Sequence, residues 1–464
     1  AYHRDKSSNL IDLNYRDGRD RANPFFVSAT ATPTRLPWWN SLLISQNKLR
    51  DYSQELRLTS PQTERFRWTL GGNYLNAFSP GGPVYGNLIL GPFFTSAITQ
   101  QRAKTPAVFG AMYFDVTPQL TVSAEARYQW DKVSQKPIIG TTGNPVTGAA
   151  ATELKETFTS FSPRVSIDYK YAENSTAYIL FSRGFRPGGF NAGLVTSSPA
   201  TLEALRVAVP NAGLSYDEEK VDNYEIGLKS TWLDGRARTT LAGYYMEWKN
   251  GQVSNSIPVS VAGTANLIPL TINTGTAELK GLEFEGQVQA TEQLVLSATF
   301  GLNDTEVKTL GLNNTPNCAD CSFVYGTPAG AIGNQLPTVP KYTWTMSGEY
   351  TDDLTSTFDW YGRVDYTHVG KKQTDFSNVA QVAAADNVNL RLGIRNETMS
   401  LEAFVTNALN NDELSHGLLG VDLFTFLFPP VPPGSPPGST LNRNEIRVSL
   451  PRPRSYGIRA SYNF

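Results

Sequence analysis

Alternation with a period of two residues is the property that most limits what this chain can become. Leu120, Val122, Ala124, Ala126, Tyr128 and Trp130 alternate with Thr121, Ser123, Glu125, Arg127 and Gln129. Tyr224, Ile226, Leu228 and Trp232 alternate with Glu225, Lys229 and Thr231, and Leu282, Phe284 and Val288 with Glu283, Glu285, Gln287 and Gln289. The same holds for Tyr342, Trp344, Met346 and Tyr350, and for Phe358, Trp360, Val364 and Tyr366. Successive side chains on a strand point to opposite faces, so each segment is a ribbon with one apolar and one polar face. Helical periodicity fits none of them. Charges stand in mid-strand on the polar face, and aromatics lie near the ends of the apolar one. The runs reach about ten residues or more, the length of a tilted membrane-spanning strand, whereas strands of soluble sheets are about 5–6 residues long.

The connections sharpen this reading. About sixteen strand candidates occupy 1–16, 48–59, 64–78, 104–116, 119–132, 154–170, 174–186, 216–231, 236–250, 270–289, 293–308, 339–351, 354–370, 385–396, 398–406 and 453–464. Tight connectors such as Thr117–Pro118, Ala290–Glu292 and Asp352–Asp353 alternate with long ones such as 187–215, 251–269, 309–338 and 407–452. Short periplasmic turns and long extracellular loops mark outer-membrane barrels, so the expected fold is all-β, a transmembrane antiparallel β-barrel. The last ten residues resemble the closing strand of such a barrel: Tyr456, Ile458, Ala460, Tyr462 and the terminal Phe464 share one parity. The balance of 40 Lys+Arg against 42 Asp+Glu leaves no basic footprint for nucleic acid. No apolar run approaches the roughly 20 residues of a membrane helix. No signal peptide is visible and Ala1 starts inside a strand pattern, so an N-terminal part is expected to be missing. The Pro-rich run Phe428–Gly438 reads as an extended surface tip, because proline cannot donate to a ladder.

Several segments carry a family resemblance. Phe161-Ser-Pro-Arg-Val-Ser-Ile-Asp-Tyr169 and Ala177-Tyr-Ile-Leu-Phe-Ser-Arg-Gly-Phe-Arg-Pro-Gly-Gly-Phe-Asn191 are similar to the mid-barrel of TonB-dependent outer-membrane receptors. So are Tyr216–Ser230 with Trp232-Leu-Asp-Gly-Arg236, Leu279–Gly286, Gly333–Lys341, Asn407–Glu413 and the earlier Tyr52–Leu58, in the expected order. Leu414 and Ser415 stand where the family usually offers a nearby Tyr. The resemblance implies a barrel of about 22 strands around an N-terminal plug, with residues 1–464 as the C-terminal barrel part, about sixteen strands, and the plug and first strands absent. It further implies energy-coupled import of a scarce ligand, most commonly an iron–siderophore complex, across the outer membrane of a Gram-negative bacterium. The expected partners are a plug domain or companion chain, the TonB–ExbB–ExbD complex and outer-membrane lipid. The competing expectation is a passive sixteen-stranded diffusion porin, which requires segment 1–16 to pair with segment 453–464.

Candidate residues follow from parity and place. The wall residues expected to face a plug are Glu55, Arg57, Glu125, Arg127, Arg164, Glu225, Lys229, Glu283, Glu285, Arg363 and Arg391, with Asp168, Asp365 and Arg395 beside them. Trp38, Trp39, Phe93, Phe94, Arg183, Arg186 and Phe190 are the ligand-binding candidates of loops and rim. Rigid rings offer contact area at low entropic cost, and guanidinium groups suit anions. Arg-Gly-Phe-Arg-Pro-Gly-Gly is equally sensible as strand-end turn chemistry. Cys318-Ala-Asp-Cys321 falls in an expected extracellular loop, where a loop-closing disulfide suits the oxidising compartment. No helix start or further ligands accompany it, as a redox or zinc site would need. The three histidines, His3, His368 and His416, come with no nucleophile motif, so no catalytic residue, cofactor or metal site is expected, and no enzyme.

Overall fold

The computed structural model describes residues 2–12, 42–81, 84–88, 91–95, 98–139, 152–261, 264–273, 275–310, 331–378, 380–421 and 444–463. An eighteen-stranded antiparallel sheet dominates them. Two of its strands, Val84–Leu88 and Gly91–Thr95, form a short extension. The other sixteen run in chain order as the wall: β1 (Tyr2–Asp12), β2 (Leu42–Thr59), β3 (Phe66–Ser79), β4 (Ile98–Asp115), β5 (Leu120–Ile139), β6 (Leu154–Ala172), β7 (Ser175–Arg186) and β8 (Glu219–Trp232), followed by β9 (Ala237–Lys249), β10 (Gly275–Gln289), β11 (Leu294–Leu310), β12 (Tyr342–Asp353), β13 (Asp359–Val369), β14 (Ala385–Arg395), β15 (Met399–Thr406) and β16 (Ser455–Tyr462). Each pairs with its neighbours in sequence. Among the described residues β1 pairs only with β2, and β16 only with β15.

Short turns collect at one end of the wall, and they repeat one device. Thr117 Oγ1 accepts from the backbone N–H groups of Gln119 and Leu120, at 3.2 and 3.0 Å. Thr291 repeats this with Gln293 and Leu294, Thr355 with Thr357 and Phe358, and Asn396 with Thr398 and Met399. A side-chain oxygen here takes the place of a backbone acceptor and closes the chain within a few residues.

The register also reports the strand tilt. One unbroken row of cross-strand partners runs Leu120, Tyr169, Ala177, Leu228, Leu241, Phe284, Phe300, Trp344, His368, Asp386. It starts beside a short turn and finishes beside a long connection. Across these ten strands the row therefore climbs from one end of the wall to the other, as tilted barrel strands require.

Three expected loops prove to be built. Within 187–215 lies the helix α1 (Pro199–Ala208), capped by Ser198, whose side chain accepts from the Thr201 N–H at 3.1 Å. Ser at the N-cap followed by Pro at the first helical position is a helix start that the reading as a loop passed over. Segment 251–269 is most of a hairpin, Gln252–Val261 with Thr264–Asn273. His416–Val421 pairs with Asn444–Ser449 inside 407–452. The expected single strand 270–289 accordingly divides: Asn273 ends the hairpin and Gly275 begins the wall strand β10. Gly275 has φ +149°, and a Cβ there would lie 1.9 Å from the Thr309 carbonyl oxygen, so only glycine makes the break.

Among the described residues, the largest buried apolar cluster lies in this superstructure rather than in the wall. Leu194, Leu205, Ala208 and Val209 pack against Ile257, Val259, Leu270 and Ile272 of the hairpin. Phe464, Cys318, Cys321 and the Pro-rich run lie outside the described residues. Leu205 is 1% exposed, and Leu205→Ala is expected to weaken the cluster by about 2–5 kcal/mol. Hydrogen exchange of 199–208 and 252–273 should accelerate, while the gel mobility of the unheated, folded wall stays as in the parent protein.

Candidate functional site

Bonds that skip a strand gather on one parity, Tyr171 to Ser230 beside a turn being an exception, and they mark the concave face, because side chains converge there. Arg127 on β5 reaches Asn73 on β3 at 3.5 Å, Tyr361 on β13 donates to Glu402 on β15 at 2.8 Å, and Arg395 on β14 meets Glu349 on β12 at 3.1 Å. Tyr244 on β9 likewise donates to Asn303 on β11. All belong to the charged parity. The apolar parity looks the other way: Ile226 and Ile458 are 63% and 76% exposed, and Tyr128 and Phe284 share that side. His368 is on it too, stacked on Trp344 with ring centroids 4.0 Å apart and bonded to Asp386.

The expected wall residues therefore share the bore face, and many of them are tied together. Glu125 accepts from Arg164 at 2.8 Å and from Tyr113 at 3.0 Å. Arg363 bridges Asp365 at 2.7 Å and Glu349 at 3.3 Å, with Arg391 more distant, 3.9 Å from Asp365. Tyr178 donates to Glu225 at 2.6 Å, and Lys229 lies over the Tyr178 ring at 5.3 Å. Arg57 and Glu55 form an exposed pair on one strand, 2.7 Å apart. Among the described residues Arg127, Lys229, Glu283 and Glu285 have no ion-pair partner. The bore thus carries ion-paired charges beside others that lack an ion-pair partner, some of them, like Arg127, held by neutral groups instead.

At the mouth, parity separates two arginines that sequence proximity groups together. Three residues apart on one strand, Arg183 and Arg186 must face opposite ways. Arg183 is on the outward parity, paired with Asp222, whose other neighbour is Lys249 at 3.1 Å. As a ligand-binding candidate of the rim, Arg183 therefore stands on the side away from the bore. Arg186 faces the bore, where it meets Glu219 at 2.8 Å and Gln252 at 2.9 Å. Glu219 also accepts from the Trp248 indole at 3.1 Å and from the Gln252 backbone N–H at 2.6 Å. Just beyond the wall, burial raises the pKa of the Glu218 carboxyl. Phe190 is in a two-residue ladder in which Gly189 pairs with Tyr216. A Cβ on Gly188 would come within 2.3 Å of the Tyr216 carbonyl oxygen, so the Gly-Gly step serves close approach. Trp38 and Trp39 lie outside the described residues, as do the side chains of Phe93 and Phe94.

One residue of this region escaped the sequence reading. The Asn191 side chain donates to the carbonyls of Thr271 and Gly213 at 2.8 and 2.9 Å, and accepts from the Thr271 N–H at 2.8 Å. It pairs with a single backbone residue as a strand would, fastening the hairpin across the mouth. Its place at the end of Pro-Gly-Gly-Phe-Asn gave a signal for a turn, and none for a partner 80 residues away.

Comparison with known proteins now has a geometry to meet. The family described as "TonB dependent receptor-like, beta-barrel" matches residues 2–408. The chain belongs to this family. A probable TonB-dependent siderophore receptor, PiuA of Acinetobacter baumannii, is 25% identical over 297 residues, which cover 61% of this chain and 35% of PiuA. The metal-pseudopaline receptor CntO of Pseudomonas aeruginosa is 25% identical over 199 residues, covering 43% of this chain and 22% of CntO. The ferric yersiniabactin uptake receptor FyuA of Yersinia pestis shares the fold, with a TM-score of 0.66 at 17% identity over 92% of this chain and 57% of FyuA. The chain therefore spans well under two thirds of the length of these TonB-dependent receptors.

The wall network makes a graded prediction. Arg363→Gln removes the cation shared by two carboxylates and is expected to cost about 1 kcal/mol, the partly exposed site keeping the figure low. Arg391→Gln, 3.9 Å from its carboxylate, should cost less. The temperature at which the folded gel band disappears orders the two variants.

Proposed function

We propose that the chain is the C-terminal barrel portion of an energy-coupled outer-membrane import receptor whose cargo is an iron–siderophore complex. The observation that carries this reading is the set of bore-facing charges that lack an ion-pair partner beneath a folded mouth, Arg127, Lys229, Glu283 and Glu285 among them. A plug inside the bore would find partners of both signs on them. Exposed pairs are individually weak, so a plug held in this way can be released by modest work. The cargo class is supported by the receptors named above, two of which are described as siderophore or metal-chelate receptors. In this reading TonB–ExbB–ExbD supplies the work from the periplasmic side, and the long connections face outward.

The unpaired edges of β1 and β16 support the same reading over a self-closed porin. An open sheet edge in hydrocarbon leaves N–H and C=O groups without partners, at several kcal/mol each. Further strands of the full-length receptor would fill that gap.

Growth of a deletion strain under iron limitation tests the cargo: it should fail on the cognate ferric siderophore and recover with the full-length gene. Unchanged growth and unchanged uptake of labelled ferric siderophores would overturn the cargo class. For the plug, the full-length receptor in a planar bilayer should show no steady large conductance. The combined variant R127Q/K229Q/E283Q/E285Q should leak at least several-fold more current while still assembling.

A further inference from the structure

Along the outward parity of β5, Ala124 and Ala126 are followed by Tyr128 and Trp130, and then by Lys132, Ser134 and Lys136. The neighbouring strands change in the same direction. β4 passes from Val108 to Lys104 and Arg102, and β6 from Val165 and Phe161 to Lys155. Tyr128 and Trp130 meet edge to face, with centroids 4.7 Å apart, as members of an aromatic belt. Above that belt five cations, Arg102, Lys104, Lys132, Lys136 and Lys155, line one cavity of about 830 Å³ together with two carboxylates, Glu153 and Glu156.

Cations outnumber carboxylates five to two in this lining. Lys104 and Lys132 are direct cross-strand partners, an arrangement that disfavours pairing. Among the described residues only Lys155 has an ion-pair partner, Glu153 at 2.8 Å. Arg102 lies over the Phe78 ring at 4.7 Å, which leaves its planar donors open. The connection 140–151 contains no Asp or Glu.

Three lysines elsewhere on the outward rim are ion-paired, although Lys220, directly opposite Lys249, has no ion-pair partner among the described residues. Lys249 is shared between Asp222 and Glu247, Lys308 between Glu278 and Glu306, and Lys280 meets Asp304 at 3.2 Å. Lysines that merely reach from lipid to water would need no such difference. Five cations with two carboxylates among them leave a net positive charge, which an external anion would balance.

We propose that this cavity binds the phosphorylated headgroup of an anionic glycolipid in the leaflet that the long connections face. Phosphate oxygens take several charge-assisted bonds at once, and Arg102 offers a planar fork for them. The strip of Val108, Phe161 and Val165 beneath the cations is exposed apolar surface suited to acyl chains. A ligand with phosphate on an apolar anchor uses both halves, whereas free phosphate uses only the upper one. The inference rests on the membrane-spanning reading of the wall and is independent of the imported cargo.

Native mass spectrometry of the detergent-solubilised full-length receptor, titrated with diphosphoryl lipid A, tests it. The parent protein should bind diphosphoryl lipid A at least ten-fold more tightly than its dephosphorylated form, and millimolar pyrophosphate should not displace it. K104Q/K132Q/K136Q should lose at least ten-fold in affinity, K104R/K132R/K136R should retain it, and K280Q/K308Q on the ion-paired rim should stay within two-fold of the parent. Equal binding of the dephosphorylated lipid, displacement by pyrophosphate, or equal loss in the K280Q/K308Q control would overturn the proposal. The first comparison uses the parent protein alone, so a misfolded variant leaves the test intact. Siderophore uptake does not enter it, so a failed cargo assignment is told apart from a failed lipid site.

Discussion

Every backbone N–H and C=O in a bilayer core must find its partner within the protein, and this requirement governs the whole wall. It explains why sixteen consecutive segments pair as neighbours in a single antiparallel sheet, and why that pairing is nearly free of interruption. It also explains where irregularity is permitted. The register shift at Thr276/Ala277 lies at the loop end of β10, where the chain departs from the wall. The turns that must reverse the chain within a few residues carry their own acceptors in Thr117, Thr291, Thr355 and Asn396.

A wall one residue thick has no interior in which to bury large apolar groups, since one face meets lipid and the other the bore. Its apolar side chains remain exposed in the isolated protein. Conventional packing moves to the mouth, where α1 and the hairpin 252–273 cover one another. The result is a rigid wall with a small folded body attached through a few polar fasteners, Asn191, Gln252 and Glu219 among them. Such fasteners are directional, so they fix the orientation of the superstructure more than its stability.

The wall was legible because a two-residue period persists over long segments, and no tertiary contact is needed to see it. All sixteen segments recur in the structure, most with differences only at their ends; β2, for example, begins at Leu42 rather than at 48, while 270–289 divides between Asn273 and Gly275. The bore-facing parity of Glu125, Arg164, Glu225 and Arg363 followed from the same count. What was hidden depends on distant partners. Asn191 finds Thr271, and Arg183 finds Asp222, through register that only assembly sets. The opposite orientations of Arg183 and Arg186 are contained in the same count, since three residues separate them on one strand. Helix α1 was missed for a different reason: ten residues are too few for periodicity to stand out, and only Ser198-Pro199 announced it.

The bore-facing rows run parallel to the climbing row that joins Leu120 to Asp386, and so bear on whatever moves through the bore. Depth and angular position are coupled, so side chains adjacent along the sheet form a spiral stair rather than a level ring. An extended segment that exchanged hydrogen bonds with successive neighbours on one course of this stair would be turned about the long axis as it descended. Extraction by a straight pull would have to break contacts on many strands in sequence, one step at a time, instead of parting a whole ring together.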